Sequence, residues 1–270
     1  MAKRGRSVLI SDAQVHAPGG TGLPIPGIDF EPLVMAMAEA GVDRAVLVPM
    51  THDSWKNSLE FCDRAPGKFV VMAVLPLGDR RTTVAELEQL ADTPGIAGIR
   101  ISTYTEPAAS LLAEGRLNWL FERIQELDIR VAMNTMGQPT ILAEIARRYP
   151  GIMFMLDHLG LDPLKRYSDF DPPIHEIVQL ANLENIAVKA TCMPAAVAEG
   201  YPFSSLHDPL QQVIEAFGVT RVFWGSDLSR LPCSYLECKE LFTKELKFLS
   251  QTDIGWLMGG GLAHWLRWSE

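Results

Sequence analysis

The chain has 270 residues, the length of one large domain or at most two, and its 47% apolar and 21% charged residues are typical of a globular protein. Its net charge of -9 argues against nucleic acid and anionic membranes as partners, because it repels phosphate backbones and lipid headgroups. The four cysteines form no Cys-x-x-Cys pair, and no window reaches the roughly 20 apolar residues of a membrane span. We therefore expect a cytoplasmic protein without a disulfide scaffold, a zinc knuckle or an export signal.

Eight short runs of apolar and β-branched residues are predicted to be strands, and they begin about 31 residues apart, the length of one βα unit. The runs cover residues 8–10, 44–49, 69–76, 96–102, 129–135, 152–158, 186–192 and 222–227. Segments with helical spacing of apolar residues lie between them, at 30–40, 83–91, 117–127, 140–149, 173–183 and 209–217. This alternation predicts one α/β domain over residues 1–270, a single (β/α)8 TIM barrel.

An open doubly wound sheet has the same alternation of strands and helices. Its nucleotide-binding form carries Gly-x-Gly-x-x-Gly after the first strand, whereas this chain reads HAPGGTGLP at residues 16–24. The missing motif favours the barrel, whose active site lies at the carboxyl ends of the strands. Polar residues at those ends are found at 12–16, 50–52, 100–103, Asn134, His158, 189–192 and Asp227.

The first, sixth and eighth strands end in residues that are capable of acid–base chemistry. Asp12, Gln14 and His16 are expected to share one face, because strand side chains alternate with a period of two. The first and eighth strands are neighbours in a closed barrel, so His16 and Asp227 are predicted to meet over its mouth. His158, two strands from Asp227, is predicted to line the same cavity.

Four motifs resemble the amidohydrolase superfamily, in particular its amidohydrolase-related branch of lactonases, decarboxylases and hydratases. They are the runs 12–16 (DAQVH), 156–160 (LDHLG), 224–227 (WGSD) and 259–263 (GGGLA). In that family the first strand ends in His-x-His, both metal ligands, and the fifth strand supplies a third His. The sixth strand supplies a catalytic or ligating His and the eighth an Asp that activates water. The resemblance implies that His158 and Asp227 take these last two positions.

The chain departs from the family pattern at the metal ligands. Gln14 stands in place of the first His, and the fifth strand offers Asn134 or Met133 where a third His is expected. Neutral amide oxygens are poor replacements for imidazole around zinc. The resemblance therefore implies at most a weak site for one divalent ion, zinc or manganese, with His16, Asp227 and Gln14 as ligands. Some lactonases of this branch work without a metal.

Each candidate also has a structural interpretation. Asp227 can instead be the N-cap of a short helix that begins after it. His158 can be a buried histidine whose hydrogen bonds are satisfied, beside Asp157. Arg100 can form an ion pair inside the barrel instead of binding a substrate carboxylate. Weaker candidates are His52, Lys189 and Cys192, and structural or surface roles are expected for His175, His207 and His264.

We predict a hydrolase of a small carboxylated molecule such as a lactone. Asp227 would take a proton from the attacking water, helped or replaced by a weakly bound ion on His16. His158 would donate to the developing oxyanion or alkoxide, and Arg100 would orient the substrate carboxylate.

Two alternatives stay open: a decarboxylase of the same branch, and a catalytically reduced subunit that partners a larger active relative. The subunit alternative rests on three tryptophans in the carboxyl-terminal tail, which are typical either of an interface or of a cap on the barrel. The expected partners are a small-molecule substrate and a second barrel subunit, identical or related.

Overall fold

The computed structural model describes residues 9–18, 27–77, 79–103 and 106–269. Within these ranges eight parallel strands pair in chain order, from β1 beside β2 to β7 beside β8. They are β1 (Ser11–Val15), β2 (Arg44–Leu47), β3 (Phe69–Val74), β4 (Ile96–Ser102), β5 (Val131–Asn134), β6 (Phe154–Leu156), β7 (Ile186–Thr191) and β8 (Val222–Gly225). The predicted (β/α)8 barrel is confirmed. The first run is displaced, because β1 begins at Ser11; residue 8 lies outside the described residues.

Helices lie between the strands along the chain and after the last strand. They are α1 (Phe30–Ala40), α2 (Trp55–Arg64), α3 (Arg80–Ala91), α4 (Ala108–Ala113), α5 (Asn118–Glu126), α6 (Thr140–Arg148), α7 (Asp171–Gln179), α8 (His207–Phe217), α9 (Tyr235–Glu240), α10 (Gln251–Gly255) and α11 (Gly261–Leu266). Helix α3 begins earlier than predicted because the Asp79 side chain accepts a hydrogen bond from the Thr82 N–H and caps it. Across the described ranges, no helix combines the length and apolar character that crossing a membrane requires.

The last four strands end before the predicted positions, because the chain turns sharply after each of them. Met136, His158, Cys192 and Asp227 follow β5, β6, β7 and β8 and all have positive φ. Residues other than glycine rarely adopt this conformation, and such strain collects at functional sites. The turns lie at the carboxyl ends of successive neighbouring strands, where a barrel carries its active site.

The first and last strands meet at the same end of the barrel. The Asp227 N–H donates to the carbonyl oxygen of Gln14 at 3.0 Å, which joins the end of β8 to β1. Gly225 permits close packing of β8 on β7, because a Cβ at this position would lie 2.5 Å from Cγ2 of Thr191. The glycine of the WGSD motif therefore has a packing role.

The opposite, amino-terminal end of the barrel is closed by the carboxyl-terminal tail. Phe223 of β8 packs edge-on against Trp265, with ring centroids 6.0 Å apart, and Arg44 lies over the ring of Trp268. Trp265 and Trp268 are buried, whereas Trp256 is 40% exposed. Two of the three tail tryptophans thus pack as a cap on the barrel.

Candidate active site

Polar side chains from five strands converge inside the carboxyl-terminal end of the barrel. Arg100 of β4 contacts Asp157, which follows β6, and Lys189 of β7 contacts Gln14 of β1. Contacts that skip an intervening strand are made through the barrel interior. We call the buried residues gathered here the mouth cluster; they are Gln14, His16, Arg100, Asp157, His158, Lys189, Thr191 and Asp227.

Asp12 belongs to a different cluster. Its carboxylate accepts hydrogen bonds from the N–H and hydroxyl of Ser226 and from the Tyr235 hydroxyl, the last at 2.6 Å. Burial raises the pKa of Asp12 to about 6, although these hydrogen bonds oppose the rise. The expectation that Asp12 shares a face with Gln14 and His16 is wrong, because an irregularity in the pairing of β1 with β2 breaks the alternation of side chains.

His16 and Asp227 lie in contact at the mouth. Nε2 of His16 is 2.9 Å from Oδ1 of Asp227, and Nδ1 is 2.7 Å from the carbonyl oxygen of Val48. A carbonyl oxygen only accepts, so Nδ1 carries a hydrogen and Nε2 faces the carboxylate. Burial opposes ionisation of Asp227, but the hydrogen bond and charge of His16 hold the pKa of this carboxyl well below its usual value. Its Oδ2 has no hydrogen-bond partner in the described part of the chain.

His158 is held by a threonine of the neighbouring strand. The His158 N–H donates to the hydroxyl oxygen of Thr191 at 3.2 Å, and Nδ1 of the ring lies 2.8 Å from the same hydroxyl. Burial lowers the pKa of His158 to about 4, although the charges of Asp227 and Asp157 oppose the change. The imidazole is therefore neutral at neutral pH.

Lys189, Asp157 and Arg100 form a buried charge network. Nζ of Lys189 lies 2.7 Å from Oε1 of Gln14 and 2.8 Å from Oδ1 of Asp157, while Nε of Arg100 lies 2.7 Å from Oδ2 of Asp157. Burial alone would raise the pKa of Asp157, but the charges of Lys189 and Arg100 lower it to about 2. Burial lowers the pKa of Lys189, and the charge of Asp157 opposes this effect. The Arg100 guanidinium thus forms an ion pair inside the barrel, one of the two roles considered for it from the sequence. The other role, binding of a substrate carboxylate, stays a prediction.

The fifth strand supplies no ligand-like side chain to the cluster. Oδ1 of Asn134 accepts a hydrogen bond from the Met136 N–H at 3.3 Å, and Met133 packs in the apolar core between strands and helices.

Cys192 is buried after β7, and burial raises its pKa to about 12, so the thiol is un-ionised. The other histidines lie on helices or turns: exposed His52 in the turn His52–Ser54, exposed His175 in α7, His207 at the start of α8 and exposed His264 in α11.

The mouth cluster does not fit a divalent metal ion. Among the described residues, no group of three or more His, Cys, Asp and Glu side chains could hold one. Oε1 of Gln14 already accepts from the Lys189 ammonium, and Nε2 of His16 faces Asp227. An ion on Gln14, His16 and Asp227, as the resemblance implied, would have to displace a buried ammonium.

From the sequence alone Lys189 is a weaker candidate, Asp157 is considered only as a neighbour of His158, and Thr191 is not singled out. A usable signal exists in β7, which reads IAVKAT and is buried throughout. A charged residue in a fully buried strand needs a partner of opposite charge. That rule points from Lys189 to a carboxylate at a neighbouring strand end, and Asp157 follows the adjacent β6.

Residues 10–260 match the amidohydrolase family, and the chain therefore belongs to that family. The predicted enzyme class is confirmed with it. The chain is similar to the L-fucono-1,5-lactonase of Burkholderia ambifaria, with 27% identity over 220 residues that cover 75% of this chain and 70% of the relative.

Solved structures share the fold at lower identity. An amidohydrolase from Burkholderia multivorans with bound zinc has a TM-score of 0.79 at 18% identity, over 96% of this chain and 99% of the other. A protein from Pseudomonas putida, named as a candidate 2-pyrone-4,6-dicarboxylic acid hydrolase, has a TM-score of 0.77 at 20% identity, over 98% and 99%. The 5-carboxyvanillate decarboxylase of Sphingomonas paucimobilis has a TM-score of 0.71 at 13% identity, over 97% and 99%.

Proposed function

We propose that this chain hydrolyses a small lactone and that Asp227 accepts the proton of the attacking water. The observation that carries the proposal is the buried, ionised carboxylate of Asp227, which His16 contacts on one oxygen. The other oxygen accepts no hydrogen bond in the described part of the chain and lies 3.9 Å from Nε of Arg230. The similarity to an L-fucono-1,5-lactonase supports the reaction class.

The reaction needs one proton to move twice. As the water oxygen bonds to the lactone carbonyl carbon, its proton passes to Oδ2 of Asp227 and the carbonyl electron pair moves to oxygen. When the ring carbon–oxygen bond breaks, the same proton passes from Asp227 to the leaving alkoxide, and a hydroxy acid results. His16 holds Asp227 in place. General acid–base catalysis of this kind contributes a factor of about 10² to 10⁴, and no step is assigned to a metal ion because the donor set does not fit one.

His158 acts here as a neutral hydrogen-bond donor instead of a proton donor, because its pKa of about 4 leaves almost no imidazolium at neutral pH. The Thr191 hydroxyl accepts from the His158 N–H and can donate its hydrogen to Nδ1. The ring hydrogen then sits on Nε2, from which it can bond the leaving oxygen.

Arg100 favours a substrate with a carboxylate, because a guanidinium binds carboxylates through parallel hydrogen bonds. The names of two relatives give the substrate classes to compare: L-fucono-1,5-lactone, which carries no carboxylate, and pyrone dicarboxylates. We propose the carboxylated class. A cytoplasmic location and assembly with an identical or related barrel remain predictions from composition and sequence.

The test is a panel of aldono-1,5-lactones and carboxylated lactones, assayed on wild type, Asp227→Asn and the control Asp169→Asn, an exposed carboxylate outside the mouth cluster. Asp227→Asn keeps the shape and removes the charge, so we expect kcat to fall by a factor of about 10² or more with a smaller change in KM and an unchanged circular dichroism spectrum. Near-full activity in Asp227→Asn would refute the role of this residue. A wild type inert to the whole panel would refute lactone hydrolysis and favour the subunit or decarboxylase alternatives.

A further inference from the structure

Two hydrogen-bond donors at the mouth have no partner among the described residues. Nε2 of Gln14 is buried and makes no hydrogen bond in the described part of the chain. An ammonium has three N–H donors, and the contacts of Lys189 with Gln14 and Asp157 use two of them. A buried donor without a partner is costly, and here the unused donors belong to side chains that contact each other.

These donors can bind one oxygen atom together. Nε2 of Gln14 is attached to the same carbon as Oε1, the atom that Lys189 contacts, so both donors are next to each other. The main-chain carbonyl oxygen of Gln14 also accepts the main-chain N–H of Asp227, which places Gln14 and Lys189 beside the proposed base. Donors fixed in a buried site stabilise a developing negative charge strongly, because they need no reorganisation during the reaction.

We propose that Gln14 and Lys189 form an oxyanion-binding pair, in which the Lys189 ammonium supplies the positive charge that a divalent metal ion would otherwise supply at this mouth. The inference rests on the proposed lactone hydrolysis: the oxygen bound is the lactone carbonyl oxygen, which gains the negative charge when water adds. The pair makes the enzyme independent of metal.

The charge balance of the mouth cluster supports this assignment. Lys189 and Arg100 both pair with Asp157, while Asp227 contacts His16 and lies 3.9 Å from Nε of Arg230. A divalent ion would add two positive charges to a buried site whose two carboxylates already have partners, which is strongly unfavourable. Lys189 therefore both replaces and excludes the ion.

The activity test uses Lys189→Met, which keeps the apolar stem and removes the ammonium, with Lys165→Met as the control at an exposed lysine. We expect kcat to fall by a factor of about 10² to 10³ in Lys189→Met, with a smaller change in KM, and no change in the control. If Lys189→Met does not fold, Lys189→Gln removes the ammonium and retains a side-chain hydrogen-bond donor for Asp157. An unchanged kcat in whichever variant folds would overturn the proposal.

The second test measures metal binding and needs no turnover. Zn²⁺ is titrated by calorimetry into chelator-treated wild type and into Gln14→His combined with Lys189→Met, which places a second imidazole beside His16 and removes the competing ammonium. We expect no stoichiometric binding to wild type and one ion per chain in the double variant, with a Kd at least about 100-fold lower. Tight binding to wild type would overturn the proposal.

The two tests separate the proposal from the lactonase assignment. A wild type that hydrolyses no lactone refutes the proposed function, and the Zn²⁺ titration then decides whether Lys189 excludes the ion. A wild type that is active but loses its activity to chelator and regains it with Zn²⁺ retains the lactonase assignment and overturns the role of Lys189.

Discussion

At the amino-terminal end of the barrel the strands contribute apolar side chains to the core, whereas at the carboxyl-terminal end the same strands contribute polar and charged ones. In three strands an apolar residue is followed two positions later by a polar one. These residues are Ala132 and Asn134 in β5, Met155 and Asp157 at β6, and Ala187 and Lys189 in β7. Residues two apart lie on the same side of a strand. The change from apolar to polar side chains therefore happens along single strands.

The two ends also differ in how they obtain stability. The amino-terminal end gains it from apolar burial, with Phe223 packed on Trp265 under the tail. The carboxyl-terminal end holds buried charges that cost free energy unless each is paired, together with positive φ at His158, Cys192 and Asp227. Removal of an apolar contact at the amino-terminal end should thus cost stability alone, whereas removal of a charge at the carboxyl-terminal end should cost both stability and activity.

The largest expected effect is that of Asp157→Asn at the mouth. It leaves the cations of Lys189 and Arg100 without their shared carboxylate, so the free energy of unfolding should fall by about 3–5 kcal/mol and kcat should fall with it. Urea denaturation and steady-state kinetics measure the two effects. The control is Asp128→Asn at the other end, where an exposed carboxylate pairs with Arg267 and Arg130; it should cost less than about 1 kcal/mol. Equal losses in both variants would contradict the comparison.

The next effect is that of Trp265→Ala at the amino-terminal end. Truncation of this buried ring should cost about 3–5 kcal/mol of unfolding free energy through the cavity that it leaves. Trp256→Ala, at the 40% exposed ring of the same tail, is the matched control and should cost much less. The kcat of the folded protein should stay at the wild-type value in both variants. A fall of kcat in Trp265→Ala without loss of stability would show that the tail affects the mouth.

The fold could be predicted from sequence because its signals are local. Each βα unit can be recognised from an apolar run followed by an amphipathic segment, and the glycine and proline residues between them mark the turns. What local patterns did not give was the position of β1, which begins at Ser11, and the irregularity after Asp12 that separates this residue from Gln14. A single extra residue in a strand leaves no clear mark on the hydrophobic pattern.

The candidate site was predictable only in part. His16, His158 and Asp227 carry the family motif, and the structure places all three among the buried residues of one end of the barrel. The role of Lys189 depends on Asp157 and Gln14, which are 32 and 175 residues away along the chain. Such a pairing is set by barrel closure, so no spacing within a motif can reveal it.

The smallest of these effects is expected for Thr191→Val, a change that keeps the shape of the side chain and removes only its hydroxyl. The hydroxyl oxygen lies 2.8 Å from Nδ1 of His158 and accepts the His158 N–H. Without it, the ring loses the partner that places its hydrogen on Nε2, and we expect kcat to fall about 10-fold, the effect typical of a group that orients a catalytic histidine. KM should change little, because the orientation of the ring matters most when the leaving oxygen gains charge.

The stability of Thr191→Val should fall by only about 1 kcal/mol, the usual contribution of one hydrogen bond. Thr191→Ser retains the hydroxyl and removes a methyl group, so it should restore most of kcat even if it lowers stability further. If Ser and Val instead lower kcat equally, packing at this position and not the hydroxyl sets the rate, because Cγ2 of Thr191 fills the space left by Gly225. Activity and stability at the mouth would then both depend on the packing of this side chain. The two ends of the barrel would in that case differ only in the charge of their side chains.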